Sequence, residues 1–199
     1  IENDVPVVYL NMVGGQDDQM FDGGSFVLNR GGKLAVQLPV MQSAIAHVDF
    51  TLTDAGWHAE DGEKAILPDS MEQDYHVMVE ALRDYMRKTG FGKVLLGLSG
   101  GIDSAIVAAI ATDALGAENV RCVMLPSEYT SQGSLDDAAA AARALGCKYD
   151  TVSIAGPRAA VTDALAPLFA GLDADLTEEN IQSRMRGLLL MAQSNKFGE

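Results

Sequence analysis

The run Gly97-Leu98-Ser99-Gly100-Gly101-Ile102-Asp103-Ser104 has the residue types needed to hold an anion. It joins an apolar, strand-like stretch over 94–98 to an apolar helix pattern over about 103–115, which Gly116 stops. Successive backbone N–H groups at a glycine turn, followed by a helix N-terminus, form an anion cradle. Glycines let the backbone approach a phosphate closely, and Ser99 and Ser104 add hydroxyl donors. Asp103 would repel a bare phosphate, so it suits a phosphate that arrives with a bridging Mg²⁺. The bland alternative is a tight turn in which Asp103 only complements the helix dipole.

Three other chemistries can be weighed on the same residues. A Walker A loop needs Gly-Lys-Ser/Thr, which does not occur in the chain. A dinucleotide fingerprint needs G-x-G-x-x-G, also absent from this turn. Gly97-Leu98-Ser99-Gly100-Gly101 does match the G-x-S-x-G elbow of hydrolases. That fold places its acid and histidine after the serine, whereas His47, His58 and His76 all precede Ser99. Zinc is disfavoured, because those histidines are scattered and Cys122 and Cys147 form no C-x-x-C pair. Both cysteines sit in apolar contexts and read as buried free thiols, which suits a reducing cytoplasm.

The elements that position the loop alternate. Strand patterns over 94–98, 120–125 and 148–154 are interleaved with helix patterns over 103–115, 134–145, about 158–170 and 178–195. Ser134-Leu135-Asp136-Asp137 reads as a capping box, and Thr177 as the cap of the last helix. This βαβαβ order implies a parallel sheet with right-handed crossovers. Upstream, residues 5–11, 25–28, 34–38 and 44–52 read as strands. Asn29-Arg30-Gly31-Gly32 forms a hairpin signal, Gly14 to Asp18 a loop, and Asp22-Gly23-Gly24 a turn. Residues 53–70 are acidic and punctuated by Gly56, Gly62 and Pro68, which predicts a linker. Ser70 then caps a helix over 71–88 with an apolar stripe at Met71, Tyr75, Met78, Leu82 and Met86.

The chain has 199 residues and a formal net charge of −14. The first 80 residues hold half of the 28 acidic side chains and only 3 of the 14 lysines and arginines. The later part is nearer neutral, as an anion site requires. No basic stripe serves nucleic acid, and no apolar run reaches the roughly 20 residues that span a bilayer. The chain opens at Ile1 without a Met and closes on a helix, so it reads as a piece of a longer polypeptide.

Ser99-Gly100-Gly101-Ile102-Asp103-Ser104 resembles the S-G-G-x-D-S loop of the ATP pyrophosphatases. Leu125-Pro126-Ser127-Glu128-Tyr129-Thr130-Ser131 resembles the segment after the second strand of glutamine-dependent NAD⁺ synthetases. Glu178-Glu179-Asn180-Ile181-Gln182-Ser183-Arg184-Met185-Arg186-Gly187, with Ser194-Asn195-Lys196-Phe197-Gly198, resembles the helix of that family that contacts deamido-NAD⁺. Tyr9 to Asp17 and Phe21-Asp22-Gly23-Gly24-Ser25 resemble the late strands of the family's nitrilase-like glutaminase domain.

The resemblance implies an α/β fold. Residues 1–52 would close a nitrilase-like α/β sandwich, residues 53–70 would link, and residues 71–199 would begin an adenine nucleotide alpha hydrolase-like synthetase domain with helices on both faces of a parallel sheet. It implies a ligase that adenylates deamido-NAD⁺ with ATP and lets ammonia displace AMP, releasing pyrophosphate. Gly97, Leu98, Ser99, Gly100, Gly101, Ile102, Asp103 and Ser104 would hold ATP, with Asp103 on Mg²⁺ and Leu125 offering backbone groups to adenine. Asn180 and Arg184, four residues apart on one helical face, would meet deamido-NAD⁺. The family's Cys-Lys-Glu glutaminase set and its second magnesium carboxylate would lie outside this chain, so the chain by itself is expected to be inactive. The full-length enzyme is expected to be cytoplasmic and homo-oligomeric. Another ATP pyrophosphatase, such as a GMP-synthetase-like or tRNA-modifying enzyme, and a non-catalytic nucleotide-binding module remain alternatives on the residues alone.

Overall fold

The computed structural model of the chain describes residues 4–17 and 19–198. Ile1, Asp18 and Glu199, which entered the reading of the chain ends and the 14–18 loop, lie outside them. The described residues divide into two compact units, one reaching Tyr85 and the other starting at Met86.

The first unit is built from hairpins. β1 (Val7–Tyr9), β4 (Phe26–Asn29) and β5 (Lys33–Gln37) form an antiparallel sheet with β4 in the middle, and β2 (Val13–Gln16) pairs with β3 (Gln19–Asp22) as a separate ribbon. The Asn29 to Gly32 signal does turn β4 into β5, with Gly31 and Gly32 at positive φ. Of the expected strand over 44–52 only 50–52 is strand, as part of β6 (Phe50–Thr53), which pairs with β7 (Gly56–Ala59). Gly56, at φ 104, gives the turn its left-handed residue, and the Thr53 hydroxyl donates to the Gly56 carbonyl at 2.8 Å.

The expected linker is therefore partly structure, and the reason is a buried amide. Asn29 is 5% exposed. Its Nδ2 donates to the Ala59 carbonyl and its Oδ1 accepts the Ala59 N–H, both at 2.8 Å. The side chain thus pairs with Ala59 as a neighbouring strand would. Ala59 joins Val27, Ala35 and Val36 in the apolar core. Beyond β7 the chain keeps to the sheet: Gln37 N–H donates to Glu63 O at 3.0 Å and Ala65 N–H donates to Gln37 O at 2.9 Å.

α1 (Ser70–Thr89) carries the chain into the second unit. Its cap is Asp69 rather than Ser70, since Asp69 Oδ1 accepts the Glu72 N–H at 2.9 Å. Its buried face also differs from the expected stripe. Met86 is buried as expected and Tyr75 and Leu82 are half-buried, but Met71 and Met78 are exposed, and Val79 and Asp84 are buried instead. The phase turns on Asp84, whose Oδ2 accepts the Gly15 N–H of β2 at 2.8 Å.

The second unit is α/β. β8 (Val94–Gly97), β9 (Val120–Met124) and β10 (Lys148–Thr151) form a parallel sheet with β9 central. α2 (Ile102–Leu115) and α3 (Gln132–Leu145) are the crossover helices and pack on each other. Alanines 108, 111, 138 and 142 are buried, and their small side chains permit the close approach. α4 (Ala155–Phe169) and α5 (Leu176–Phe197) follow. Met185, Leu189 and Leu190 of α5 pack against Val123, Leu125 and Ile154, the side chains of the other sheet face. The caps lie slightly upstream of those expected. Ser131, not Ser134, caps α3, accepting the Ser134 N–H at 3.1 Å. Asp175, not Thr177, caps α5 in a box with Glu178. No helix among the described residues is long and apolar enough to cross a membrane.

Two outcomes follow from these cores. Asn29→Ala leaves both polar groups of Ala59 unpaired and should cost about 2–4 kcal/mol in denaturant unfolding. Cys122, at 0% exposure on β9, has its thiol pushed up to about 12, first by burial and then by neighbouring Cys147. The folded state therefore holds that proton after the unfolded chain has lost it. The resulting stability is complete below the ordinary thiol value and is lost as pH rises toward 12. Unfolding titrations should show a smaller alkaline loss for Cys122→Ala than for the parent protein; equal losses would remove this account.

Candidate functional site

Parallel sheets bind ligands beyond the carboxyl ends of their strands. There the chain leaves β8 at Gly97, makes one more sheet bond from Leu98 N–H to Val123 O at 2.9 Å, and turns into α2. The turn needs Gly100. Its φ is +85, and a Cβ there would lie 2.3 Å from the Ser134 carbonyl oxygen. The loop therefore rests directly on the first turn of α3. Gly101 is less constrained: its φ is −88, and an added Cβ would meet only the Ser99 hydroxyl at 3.4 Å.

Gly101 caps α2 without a side-chain bond, so the first N–H groups of that helix face outward without an intrahelical acceptor. The two serines lock the turn. Ser104 Oγ accepts the Ser99 N–H at 3.1 Å and donates to the Gly101 carbonyl at 2.9 Å. Ser99 Oγ accepts the Gly101 N–H at 3.2 Å and lies 3.1 Å from Ser104 Oγ. With the Ser104 proton committed to Gly101, the Ser99 proton is the one that can turn to a ligand. Ser104 is a brace rather than the free donor suggested by its type.

Beside the loop lies a cleft of about 480 Å³, a volume suited to a nucleotide-sized ligand. Gly97, Leu98, Ser99 and Leu125 line it, as do Tyr129, Ser131, Ser134 and Arg186. Of the expected residues, Gly97, Leu98, Ser99 and Leu125 thus line the cleft together, while Gly100, Gly101, Ile102, Asp103 and Ser104 are not among its lining residues. Ile102 and Asp103 are exposed at the head of α2. The Asp103 carboxylate makes no hydrogen bond or ion pair among the described residues. One free carboxylate beside a glycine loop and an open helix N-terminus fits a Mg²⁺ that arrives with phosphates, since Mg²⁺ takes few protein ligands and several phosphate oxygens. Asn180 and Arg184 are exposed on α5 and are not among the residues that line the cleft.

Arg186 and Tyr129 lie where sequence reasoning did not place them. Arg186 Nε donates to the Leu125 carbonyl at 3.1 Å. Helical phase was the available signal: Leu190, one turn onward, lies 3.6 Å from the position of a Cβ on Gly97. Tyr129 sits in a loop whose Ser127 N–H donates to Thr130 Oγ1 at 3.0 Å. The Arg158 guanidinium pairs with Glu128 and stands 5.7 Å from the Tyr129 ring centre.

The two glycines make a paired test. Gly100→Ala should cost about 2 kcal/mol or more in stability, from the left-handed backbone and the contact with Ser134. Gly101→Ala should be tolerated within about 1 kcal/mol. Denaturant unfolding of both variants checks the difference.

Residues 74–199 match the family model described as NAD synthase. Over 99% of its length the chain is 64% identical to a glutamine-dependent NAD(+) synthetase of Rhodobacter capsulatus, of which it spans 36%. The structure of the Acinetobacter baumannii glutamine-dependent NAD⁺ synthetase in complex with ADP superposes on all of it with a TM-score of 0.94 at 44% identity, the match covering 37% of that chain. A Francisella tularensis NMN synthetase matches 65% of the chain and 52% of its own, with a TM-score of 0.57 at 25% identity. The chain spans little more than a third of the curated relatives it matches, and it belongs to the NAD synthase family.

Proposed function

We propose that the cleft binds ATP, and that in the full-length protein it serves the ATP-dependent amidation of deamido-NAD⁺ to NAD⁺. The observation that carries this is the loop itself, a glycine turn pinned to α3 and opening the bare N-terminus of α2 beside a nucleotide-sized cleft. Membership of the family and the ADP complex of the Acinetobacter relative support it.

In this reading the nicotinate carboxylate attacks the α-phosphorus, pyrophosphate leaves, and ammonia displaces AMP. The N–H groups at the head of α2 and the Ser99 hydroxyl take the charge that accumulates on the departing pyrophosphate. Ser104 holds Ser99 and Gly101 in place. Asp103 would hold Mg²⁺, which supplies charge neutralisation of the phosphates. Asn180 and Arg184 would meet deamido-NAD⁺, and Leu125 would border the adenine. No protein nucleophile is required. Neither cysteine is suited to be one: Cys122 is buried with its thiol pushed up to about 12, and Cys147 Sγ lies 3.0 Å from the Thr112 hydroxyl.

We further infer that residues 1–52 belong to a nitrilase-like glutaminase part, that residues 71–199 open the synthetase part, and that ammonia comes from glutamine in the cytoplasm through a homo-oligomeric enzyme. The stretch over 53–65, as the hairpin and sheet contacts indicate, goes with the earlier part.

The test is product analysis on the full-length protein with ATP, Mg²⁺, deamido-NAD⁺ and ammonium. NAD⁺, AMP and pyrophosphate should appear in equal amounts. Asp103→Asn should slow turnover at least about hundredfold while leaving unfolding behaviour intact. ADP and phosphate as products would sink the proposal. Preference for the mononucleotide over deamido-NAD⁺ would move it toward the reaction named for the Francisella relative.

A further inference from the structure

We infer that Arg186 is the cation that grips the phosphate chain of the nucleotide, an inference that rests on the ATP reading of the cleft. Every other residue lining the cleft is uncharged. The glycine loop carries no lysine, so its amides supply only partial charges. A guanidinium in the same cleft supplies a whole one.

Burial sets Arg186 apart from the exposed arginines. Arg121 and Arg158, half-buried like it, each pair with a carboxylate. Arg186 is half-buried, yet no carboxylate pairs with it among the described residues. A partly desolvated charge without a counter-ion is costly, and an anionic ligand in the cleft would remove that cost. The group is also aimed. Nε is tied to the Leu125 carbonyl at 3.1 Å, which fixes the guanidinium plane at the end of β9. Its Nη groups make no bond among the described residues and are not sealed from the cleft. A planar fork held by one edge, with its other donors open, is suited to bidentate contact with phosphate oxygens. The phosphates are the anion in question because Ser99 and Gly97, at the mouth of the cradle, line the same cleft.

Calorimetry on the full-length protein with ATP, ADP and adenosine tests this on the parent, Arg186→Gln and Arg186→Lys. A charge-assisted phosphate contact predicts a loss of about tenfold to hundredfold for ATP and ADP in Arg186→Gln. Adenosine, which lacks the phosphates, should bind within about twofold of the parent and shows that the cleft is intact. Arg186→Lys should recover part of the loss, since it restores the charge without the fork. An ATP affinity unchanged in Arg186→Gln overturns the inference alone. So does a fall for adenosine as large as that for ATP, which would make Arg186 a brace for Leu125. Failure of the parent to bind ATP would overturn the reading of the cleft and this inference with it.

Discussion

Everything at the cleft depends on one close approach, the backbone of Gly100 against the carbonyl of Ser134. No side chain fits between them, since a Cβ would sit 2.3 Å from that oxygen. The contact sets the loop on the first turn of α3 and brings the N-termini of α2 and α3 to the same rim. Each helix N-terminus carries about half a positive charge. A chain with a net charge of −14 repels anions at long range. In the proposed reading it accepts one here because the local field comes from backbone dipoles and a single guanidinium rather than from net composition.

The first unit solves a different problem with similar means. Its strands are short, and its hairpins would splay without cross-links. Buried polar side chains supply them. Asn29 takes both polar groups of Ala59, and Gln37 Nε2 donates to the Gly24 and Leu38 carbonyls, each at 2.9 Å. Asp84 takes the Gly15 amide. These groups act as surrogate backbone, satisfying loops that have no ladder partner. The cost of such a device is steep when one partner is lost, which concentrates the unit's stability in a few residues.

The parallel sheet and its crossovers were legible in the sequence because their signals are local. The apolar strands, the stops at Gly116 and Gly146, and the glycine loop all declare themselves within a few residues. What escaped depends on partners far along the chain. The 53–65 stretch reads as a linker because it is acidic and glycine-punctuated. It is structured because Asn29 and Gln37 reach it from 30 and 26 positions away. The buried face of α1 departs from the apolar stripe at Val79 and Asp84 for the same reason, since hydrophobic periodicity does not foresee a buried Asp84. Caps are displaced by one to three residues where several of Ser, Thr and Asp lie close together, since each is a competent cap and the sequence offers no ranking between them.

Packing on α5 decides which polar residues face the cleft and which face away from it. At about 100° per residue, Asn180 and Arg184 differ by about 40° and share a face, while Arg186 is turned about 200° from Arg184. Apolar contacts set the phase. Met185, Leu189 and Leu190 lie on the sheet side chains Val123, Leu125 and Ile154, and this leaves Arg186 at the edge of the sheet and Arg184 outside it. One helix therefore offers a guanidinium to the cleft and a second polar pair to a separate surface. In the proposed reaction the first step joins the AMP part of ATP to the carboxylate of deamido-NAD⁺, so two anionic substrates are oriented at once, each with its own guanidinium. The apolar stripe of α5, which itself touches no substrate in this reading, is what keeps the two arginines apart.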